Sequence, residues 1–116
     1  MPAERVIACN DLAYAINDSF PVTPGHALVI PRRHVQDFFG LCDEELLACN
    51  RLLKALRASI TERDGLVEGF NIGMNAGAAA GQTIFHCHMH LIPRRHGDVE
   101  NPRGGVRHLI PGKGFY

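Results

Sequence analysis

The sequence has no excess of charge of either sign and no long hydrophobic run. Its 12 Lys and Arg side chains are balanced by 12 Asp and Glu, so the formal net charge is zero with histidine neutral. A balanced charge removes the net-charge argument for non-specific binding to nucleic acid or to a membrane surface. No apolar run approaches the roughly 18 residues that cross a bilayer. We therefore predict neither a nucleic-acid partner nor a membrane partner.

Paired cysteines and a targeting segment are also missing. The first ten residues, MPAERVIACN, carry Glu4 and Arg5 where a signal peptide needs a long apolar stretch. A chain of 116 residues is large enough to fold without disulfides. No Cys-x-x-Cys spacing occurs among the four cysteines, Cys9, Cys42, Cys49 and Cys87. These absences predict reduced thiols and a cytoplasmic location.

Length and composition predict one ordinary globular domain. The 46% of hydrophobic residues matches globular usage. A domain of this size buries about 60% to 70% of the surface that its unfolded chain exposes, which is enough for a hydrophobic core without stabilising cross-links. We predict a single domain over residues 1–116. Because prolines and glycines are frequent near the C-terminus, we expect an irregular tail over about residues 99–116.

Short apolar runs bounded by turn residues predict a small sheet. The turn pair Asn10-Asp11 separates the first two runs, and prolines border the third. The predicted strands cover residues 4–9, 12–17, 26–30, 69–75 and 84–92. Their connections are too short for several crossover helices, so the sheet is expected to be antiparallel.

One long helix is predicted after the acidic residues 43–45, which favour a helix N-terminus. Asp64 and Gly65 predict its end, and residues 34–40 predict a short helical turn. Spacings of three and four place five apolar side chains on its buried face: Leu46, Cys49, Leu53, Leu56 and Ile60. The predicted fold class is α+β, an antiparallel sheet of about five strands with one long and one short helix.

Three of the seven histidines alternate within one short stretch, residues 85–91 (FHCHMHL). On a strand, a period of two places Phe85, Cys87, Met89 and Leu91 on one face and the three imidazoles on the other. The apolar face is expected to meet the helix. The imidazoles are then expected on the open face of the sheet, where a ligand can reach them.

Three interpretations of this histidine cluster compete. The rings can be polar filler on a solvated face. They can form a metal site with His26 and His34, although the motif has neither a carboxylate nearby nor a cysteine pair. They can perform nucleophilic or acid–base chemistry, for which a phosphorus centre is well suited because backbone N–H groups of residues 77–83 can cradle its oxygens.

A wider resemblance favours the third interpretation. Residues 81–92 (GQTIFHCHMHLI) resemble the defining motif of the histidine triad (HIT) family, His-x-His-x-His followed by two apolar residues. Residues 18–34 (DSFPVTPGHALVIPRRH) and 71–75 (NIGMN) resemble two further family segments, so the likeness runs from about residue 5 to residue 98. It implies a HIT-like fold whose sheet continues across a homodimer joined through the long helix and the strand at 71–75. It also implies that the C-terminal tail lies near the substrate.

The resemblance implies a nucleotidyl hydrolase that works through a covalent nucleotidyl-histidine. The matching position for the nucleophile that attacks the α-phosphorus is His88. His86 would line the phosphate cradle, while His90 and His26 would support the ring of the nucleophile. Gln82 would contact phosphate and position the leaving group or water.

Nucleotide contacts are implied at five positions. Asp18 would take the ribose hydroxyls, and Asn75 would contact the ribose or phosphate. Gln82 and Thr83 would contact phosphate, and Ile7 would line the base pocket. The ligand implied is a purine nucleotide, carried by a dinucleoside polyphosphate or a nucleoside phosphoramidate, as in bacterial members similar to Hint and to dinucleoside polyphosphate hydrolases.

Two comparisons with the family pattern concern metal binding and the type of reaction. Many bacterial members hold a structural zinc with a Cys-x-x-Cys element and the histidines matching His34 and His86, whereas this chain has Cys9 alone. We therefore expect no metal and no required cofactor. All three triad histidines are present, which favours hydrolysis over uridylyl transfer. Two alternatives stay open: a nucleotide-binding regulatory module with little turnover, and a histidine metal site.

Overall fold

The computed structural model describes residues 3–116 as a five-stranded antiparallel sheet with one α-helix on one face. The first two residues of the predicted domain lie outside the described residues. Along the sheet the strands follow the order β1-β2-β3-β5-β4. Their bounds are β1 Val6–Cys9, β2 Ala13–Asn17, β3 Ala27–Pro31, β4 Val67–Gly73 and β5 Met89–Arg95, with α1 at Asp43–Arg63. The predicted fold class is confirmed.

Short 3-10 turns fill the remaining elements. The turn at Phe38–Gly40 lies inside the predicted short helix at 34–40. Another at Gly105–Leu109 interrupts the otherwise irregular tail. No helix among residues 3–116 is long and apolar enough to cross a membrane.

The core lies between α1 and one face of the sheet. Small side chains on β2 and β3 bring the helix close, because Ala13, Ala15 and Ala27 are fully or almost fully buried. The helix contributes Ala48, Cys49, Leu52, Leu56 and Ile60. The predicted helix face was wrong at two positions, since Leu46 is 37% exposed, and Leu52 is buried where Leu53 was predicted, with Leu53 only partly buried. The buried stripe begins at Ala48 because Glu45, not Leu46, faces the body of the protein in the first turn.

The last strand differs from the prediction of a strand over 84–92. The pairing of β3 with β5 begins at Met89, which lies opposite Val29. The residues before Met89 are outside the sheet. The reason is that the backbone N–H of Cys87 donates to the Val35 carbonyl at 2.7 Å instead of to β3. Phe85, predicted to face the core, is consequently 43% exposed.

At its far end β5 continues through Pro93 to Arg95, beyond the predicted stop. Pro93 is tolerated there because β3 pairs with β5 only as far as Leu91. The Pro93 carbonyl accepts instead from the Thr23 hydroxyl at 2.6 Å. Gly25 approaches the same proline with φ +90°, a conformation that L side chains rarely adopt, so this turn requires glycine.

Candidate active site

A cavity of about 320 Å³ opens on the sheet face opposite α1. Alternation along β2 and β3 explains its walls, because the odd-numbered residues of these strands are committed to the core. Two predicted triad members, His86 and His88, form one side of it. The full lining comprises Arg5, Tyr14, Ile16, Asp18, Ser19, Phe20, Leu28, Ile30, Ile84, His86 and His88.

The hydrogen bonds of His88 fix which ring nitrogen is available for chemistry. Its Nδ1 lies 2.9 Å from the His86 carbonyl oxygen. A carbonyl only accepts, so Nδ1 carries the proton, and in the neutral ring Nε2 keeps its lone pair. The neighbouring ring of His90 stands almost perpendicular, at 69° with centroids 5.3 Å apart. The backbone therefore leaves Nε2 as the unprotonated nitrogen of the neutral His88 ring.

His86 is oriented by the end of β3. Its Nε2 lies 3.0 Å from the Pro31 carbonyl, so Nε2 is the protonated nitrogen. The exposed ring of His34 packs edge-on against it, with centroids 5.1 Å apart. His86 thus lines the cavity with a fixed ring and holds His88 through its own carbonyl.

His26 and His90 form a hydrogen-bonded pair beside His88, with His26 buried and His90 half-buried. His26 is 2% exposed, and its Nδ1 accepts from the Val22 backbone N–H at 3.1 Å. The proton consequently lies on His26 Nε2, which donates to His90 Nδ1 at 2.9 Å. Burial lowers the pKa of both rings, and for His90 the neighbouring imidazoles of His26 and His88 lower it further. Because each Nδ1 accepts a hydrogen bond, neither ring carries a second proton in this arrangement.

Asp18 connects this pair to the cavity wall. Its Oδ1 accepts from the Phe20 backbone N–H at 2.9 Å, which closes a turn after β2. Its Oδ2 lies 3.4 Å from His26 Nε2. This position places a carboxylate at the edge of the cavity, where sugar hydroxyls would find an acceptor.

The same three side chains bring together donor types that bind metals. Atoms of Asp18, His26 and His90 lie within 4.8 Å of one another. However, the Val22 N–H directed at His26 Nδ1 keeps the ring proton on Nε2, the nitrogen that faces the other two residues. An ion there needs an unprotonated Nε2. The tautomer imposed by the backbone therefore does not fit a metal.

Gln82 lies in the loop beneath the cavity and not on its wall. It is 4% exposed, and its Oε1 accepts from the Gly77 N–H at 2.8 Å. Its Nε2 donates to the carbonyls of Gln36 at 2.7 Å and Ile84 at 3.2 Å. Both amide hydrogens are thus committed to the backbone. In this structure Gln82 shapes the loop, and its phosphate contact stays a prediction.

The predicted backbone cradle over residues 77–83 is also largely closed. The N–H of Gly77 bonds to the side chain of Gln82, and the N–H of Gln82 returns to the Gly77 carbonyl. The N–H groups of Ala80 and Gly81 complete a 3-10 turn. Four donors assigned to a ligand are therefore used within the loop.

Three predicted nucleotide contacts lie away from the cavity wall. Asn75 and Thr83 are exposed on the approach to the loop. Ile7 is 44% exposed, on the outward phase of the regular burial alternation of β1. The structure does not place any of the three in the lining, and their contacts stay predictions.

The apolar wall was not predicted from the sequence. It is built by Tyr14 and Ile16 of β2 together with Leu28 and Ile30 of β3. The sequence did contain an indication of this wall. Both strands carry apolar residues at successive positions, whereas a strand with one solvated face alternates apolar and polar residues. Apolar residues on both faces of β2 and β3 indicate that the sheet face opposite α1 is not fully exposed to solvent.

Comparison with known proteins agrees with this architecture. The HIT domain model matches residues 2–97, most of the chain. The chain belongs to the HIT family. The resemblance inferred from residues 81–92 is thereby confirmed.

Several HIT relatives are close in sequence or structure. A HIT-like protein of Mycoplasma pneumoniae is 41% identical over 85 residues, covering 73% of this chain and 58% of the relative. The AP-4-A phosphorylase of Mycobacterium tuberculosis is 37% identical over 98 residues, covering 81% and 48% respectively. The diadenosine triphosphate hydrolase of Plasmodium falciparum superposes with a TM-score of 0.74 at 28% identity, covering 87% of this chain and 68% of that one. The chain thus spans about half to three-fifths of the two curated relatives.

Proposed function

We propose that this HIT protein is a purine nucleotidyl hydrolase that releases AMP through a covalent nucleotidyl-His88 intermediate. The observation that carries the proposal is the 2.9 Å contact of His88 Nδ1 with the His86 carbonyl. This contact leaves His88 Nε2 as an unprotonated nitrogen on the wall of a cavity of nucleoside size. The substrate class proposed is a dinucleoside polyphosphate or a nucleoside phosphoramidate.

The reaction would proceed in two displacements. In the first, His88 Nε2 forms a bond to the α-phosphorus while the bond from phosphorus to the leaving group breaks. The leaving group departs with the electron pair and takes up a proton. In the second, a water oxygen bonds to phosphorus, the N–P bond breaks, and the water loses a proton. The imidazole returns to its starting tautomer, and AMP is released.

The neutral pair behind His88 would support this chemistry. When Nε2 bonds to phosphorus, the His88 ring becomes positively charged, and its Nδ1–H bond to the His86 carbonyl strengthens. Because His26 and His90 are held neutral by burial, they do not add a competing positive charge beside that ring. No step in this route needs a metal or another cofactor.

The cavity wall would select the nucleoside. Tyr14, Ile16, Leu28 and Ile30 offer an apolar surface for a base, and Asp18 at the rim would accept from the ribose hydroxyls. The names of two relatives, an AP-4-A phosphorylase and a diadenosine triphosphate hydrolase, support an adenine nucleotide as the ligand.

We also propose that the protein acts as a homodimer whose sheets join. Strand β4 is an edge strand in this chain, and its Ile72 is 57% exposed. An open edge with an exposed apolar side chain is suited to pairing with a second copy. Light scattering coupled to size-exclusion chromatography should give twice the chain mass, and a monomer mass over the whole concentration range would refute the dimer.

The function is tested by product analysis in the presence of a chelator. Wild type and His88→Ala are incubated with diadenosine polyphosphates and with an adenosine phosphoramidate, and AMP is quantified by chromatography. Release by wild type alone is expected. Addition of inorganic phosphate separates a hydrolase from a phosphorylase, because a phosphorylase would release ADP. Unchanged AMP affinity in both proteins with no turnover would favour a regulatory module, and activity lost to the chelator would favour a metal site.

A further inference from the structure

One short segment anchors the whole loop that carries His86 and His88. We define residues 31–36, from the last residue of β3 toward the turn before α1, as the anchor segment. The Pro31 carbonyl accepts from His86 Nε2 at 3.0 Å, and the Val35 carbonyl accepts from the Cys87 N–H at 2.7 Å. The Gln36 carbonyl accepts from Gln82 Nε2 at 2.7 Å. Three separate elements of the loop therefore depend on the position of this segment.

The anchor segment is itself tied to the start of α1 by an ion pair. Arg33 donates through Nε to Glu45 Oε2 at 3.0 Å and through Nη2 to Glu45 Oε1 at 2.7 Å. The same Nη2 donates to the Gly40 carbonyl at 2.9 Å. Such a two-point contact fixes the orientation of the Arg33 guanidinium relative to the Glu45 carboxylate as well as the distance between them, because the guanidinium is planar.

Glu45 is buried well beyond the usual level for a carboxylate. It is 3% exposed, and besides Arg33 it accepts from the Cys42 backbone N–H at 2.9 Å. The Arg33 guanidinium, with help from that backbone bond, lowers the pKa of Glu45 to about 2. A buried carboxylate whose partner is removed remains as an uncompensated charge and forces rearrangement around it.

We propose that Arg33 and Glu45 are positioning residues for the nucleophile. Their ion pair holds residues 33–36 of the anchor segment, the Val35 carbonyl holds the Cys87 N–H between the two histidines, and the His86 carbonyl holds the His88 tautomer. The proposal rests on the nucleotidyl-His88 function proposed above, but its structural core, control of the His88 tautomer, does not depend on turnover. Neither side chain lines the cavity, so neither is a substrate contact.

Glu45→Gln is the main test variant because it separates two roles of Glu45. Gln at this helix position can still accept from the Cys42 N–H, so the helix cap is kept while the ion pair is lost. Arg33→Lys keeps the charge but loses the two-point fork, and it is expected to show an intermediate effect. The matched control is Asp64→Asn, which breaks the Arg95 Nη2 to Asp64 Oδ2 contact of 2.8 Å at the other end of α1.

The first readout is the ring tautomer of His86 and His88, measured by long-range ¹H–¹⁵N correlation spectra and assigned with single histidine variants. Wild type and Asp64→Asn should show His88 protonated on Nδ1 and His86 protonated on Nε2. Glu45→Gln should show His88 in exchange between both tautomers. The second readout is the steady-state rate of AMP release, for which we expect kcat to fall about 10-fold to 100-fold with KM nearly unchanged.

Two results would overturn the proposal. One is a Glu45→Gln protein whose His86 and His88 tautomers and kcat match those of wild type. The other is a Glu45→Gln protein with a lower kcat but unchanged tautomers, because the loss of rate would then not arise from the position of His88. If Glu45→Gln does not fold, Arg33→Lys decides by the same spectra. If wild type releases no AMP at all, the proposed function fails, while the tautomer spectra still decide whether the pair positions His88.

Discussion

The histidine cluster consists of two halves that are held in different ways. His26 and His90 flank or lie on paired strands, are buried or half-buried, and hydrogen bond to each other. His86 and His88 precede β5, outside the strand ladder, and each is fixed by a backbone carbonyl. The sheet holds both rings of the first half. In the second half it holds only His86, through the Pro31 carbonyl, whereas the hydrogen bond of His88 is to the loop itself. His88 is therefore the ring that local changes can displace most easily.

This difference separates two tasks of the site. The strand half supplies a neutral, rigid backing that is part of the folded core. The loop half holds His88 in one tautomer. Substitution of the loop-half histidines should mainly affect rate, and substitution of the strand-half histidines should mainly affect stability and its dependence on pH.

The largest effect is expected from removal of the nucleophile. His88→Ala should reduce AMP release by about 10⁴-fold or more, because in the proposed route no other side chain forms the bond to phosphorus. AMP binding, measured by calorimetry, should persist because the apolar wall is unchanged. His96→Ala removes an exposed ring that pairs with Glu68 outside the cavity and should leave the rate unchanged. Comparable rates for wild type and His88→Ala would place the chemistry elsewhere.

The loop half should also be sensitive to loss of the buried Gln82 amide. Gln82→Ala leaves the Gly77 N–H and the Gln36 carbonyl without their partner, which should lower the free energy of unfolding by about 1–3 kcal/mol. Urea denaturation measures this change. The matched control is Thr83→Val at the adjacent exposed position, for which a change within about 0.5 kcal/mol is expected. Equal losses for both variants would argue against a structural role of the amide.

Truncation of the cavity wall should weaken binding without slowing the chemical step. Leu28→Ala removes apolar contact area for the base, and we expect AMP affinity to fall about tenfold. The rate at saturating substrate should be retained. Leu66→Ala, at a 73% exposed position after α1, serves as control and should bind AMP like wild type. An unchanged affinity in Leu28→Ala would place the base outside this cavity.

The smallest predicted effect is a pH dependence of stability from the strand half. Burial lowers the pKa of His26 and His90 below 6.5, so below pH 6.5 the unfolded chain binds more protons than the folded one. Stability must then fall as the pH drops from 6.5 toward the lowered values, by at most about 1.4 kcal/mol per pH unit for each ring. Urea denaturation at several pH values measures the slope. His26→Gln should flatten it, and a slope equal to wild type would show that His26 does not contribute.

Much of the strand half could be predicted from the sequence. Periodicity located the strands that carry His26 and His90, and acidic residues before an apolar repeat located α1. The resemblance to the HIT family also picked out His26 and His90, which the structure brings into contact, and their supporting role stays a prediction. These features are local, because spacing along the chain decides which face a side chain occupies.

The loop half could not be predicted in the same way. An alternating pattern over residues 84–92 indicated a strand, but the Cys87 N–H bonds to Val35 and leaves the ladder. The family resemblance implied a phosphate contact for Gln82, which stays a prediction, but it did not indicate that the buried amide bonds to three backbone groups. Both outcomes depend on how the anchor segment folds back over the loop, a contact between distant residues that no local spacing encodes.

The central claim, that His88 Nε2 carries the nucleotidyl group, is tested most directly by trapping the intermediate. The enzyme is mixed with a diadenosine polyphosphate, quenched in alkali to preserve an N–P bond, digested, and mapped by mass spectrometry. The account predicts an adenylyl group on the peptide that contains His88, attached to that residue and absent in His88→Ala. An adenylyl group on another residue, or AMP formation in single-turnover experiments with no labelled peptide at any time, would contradict it.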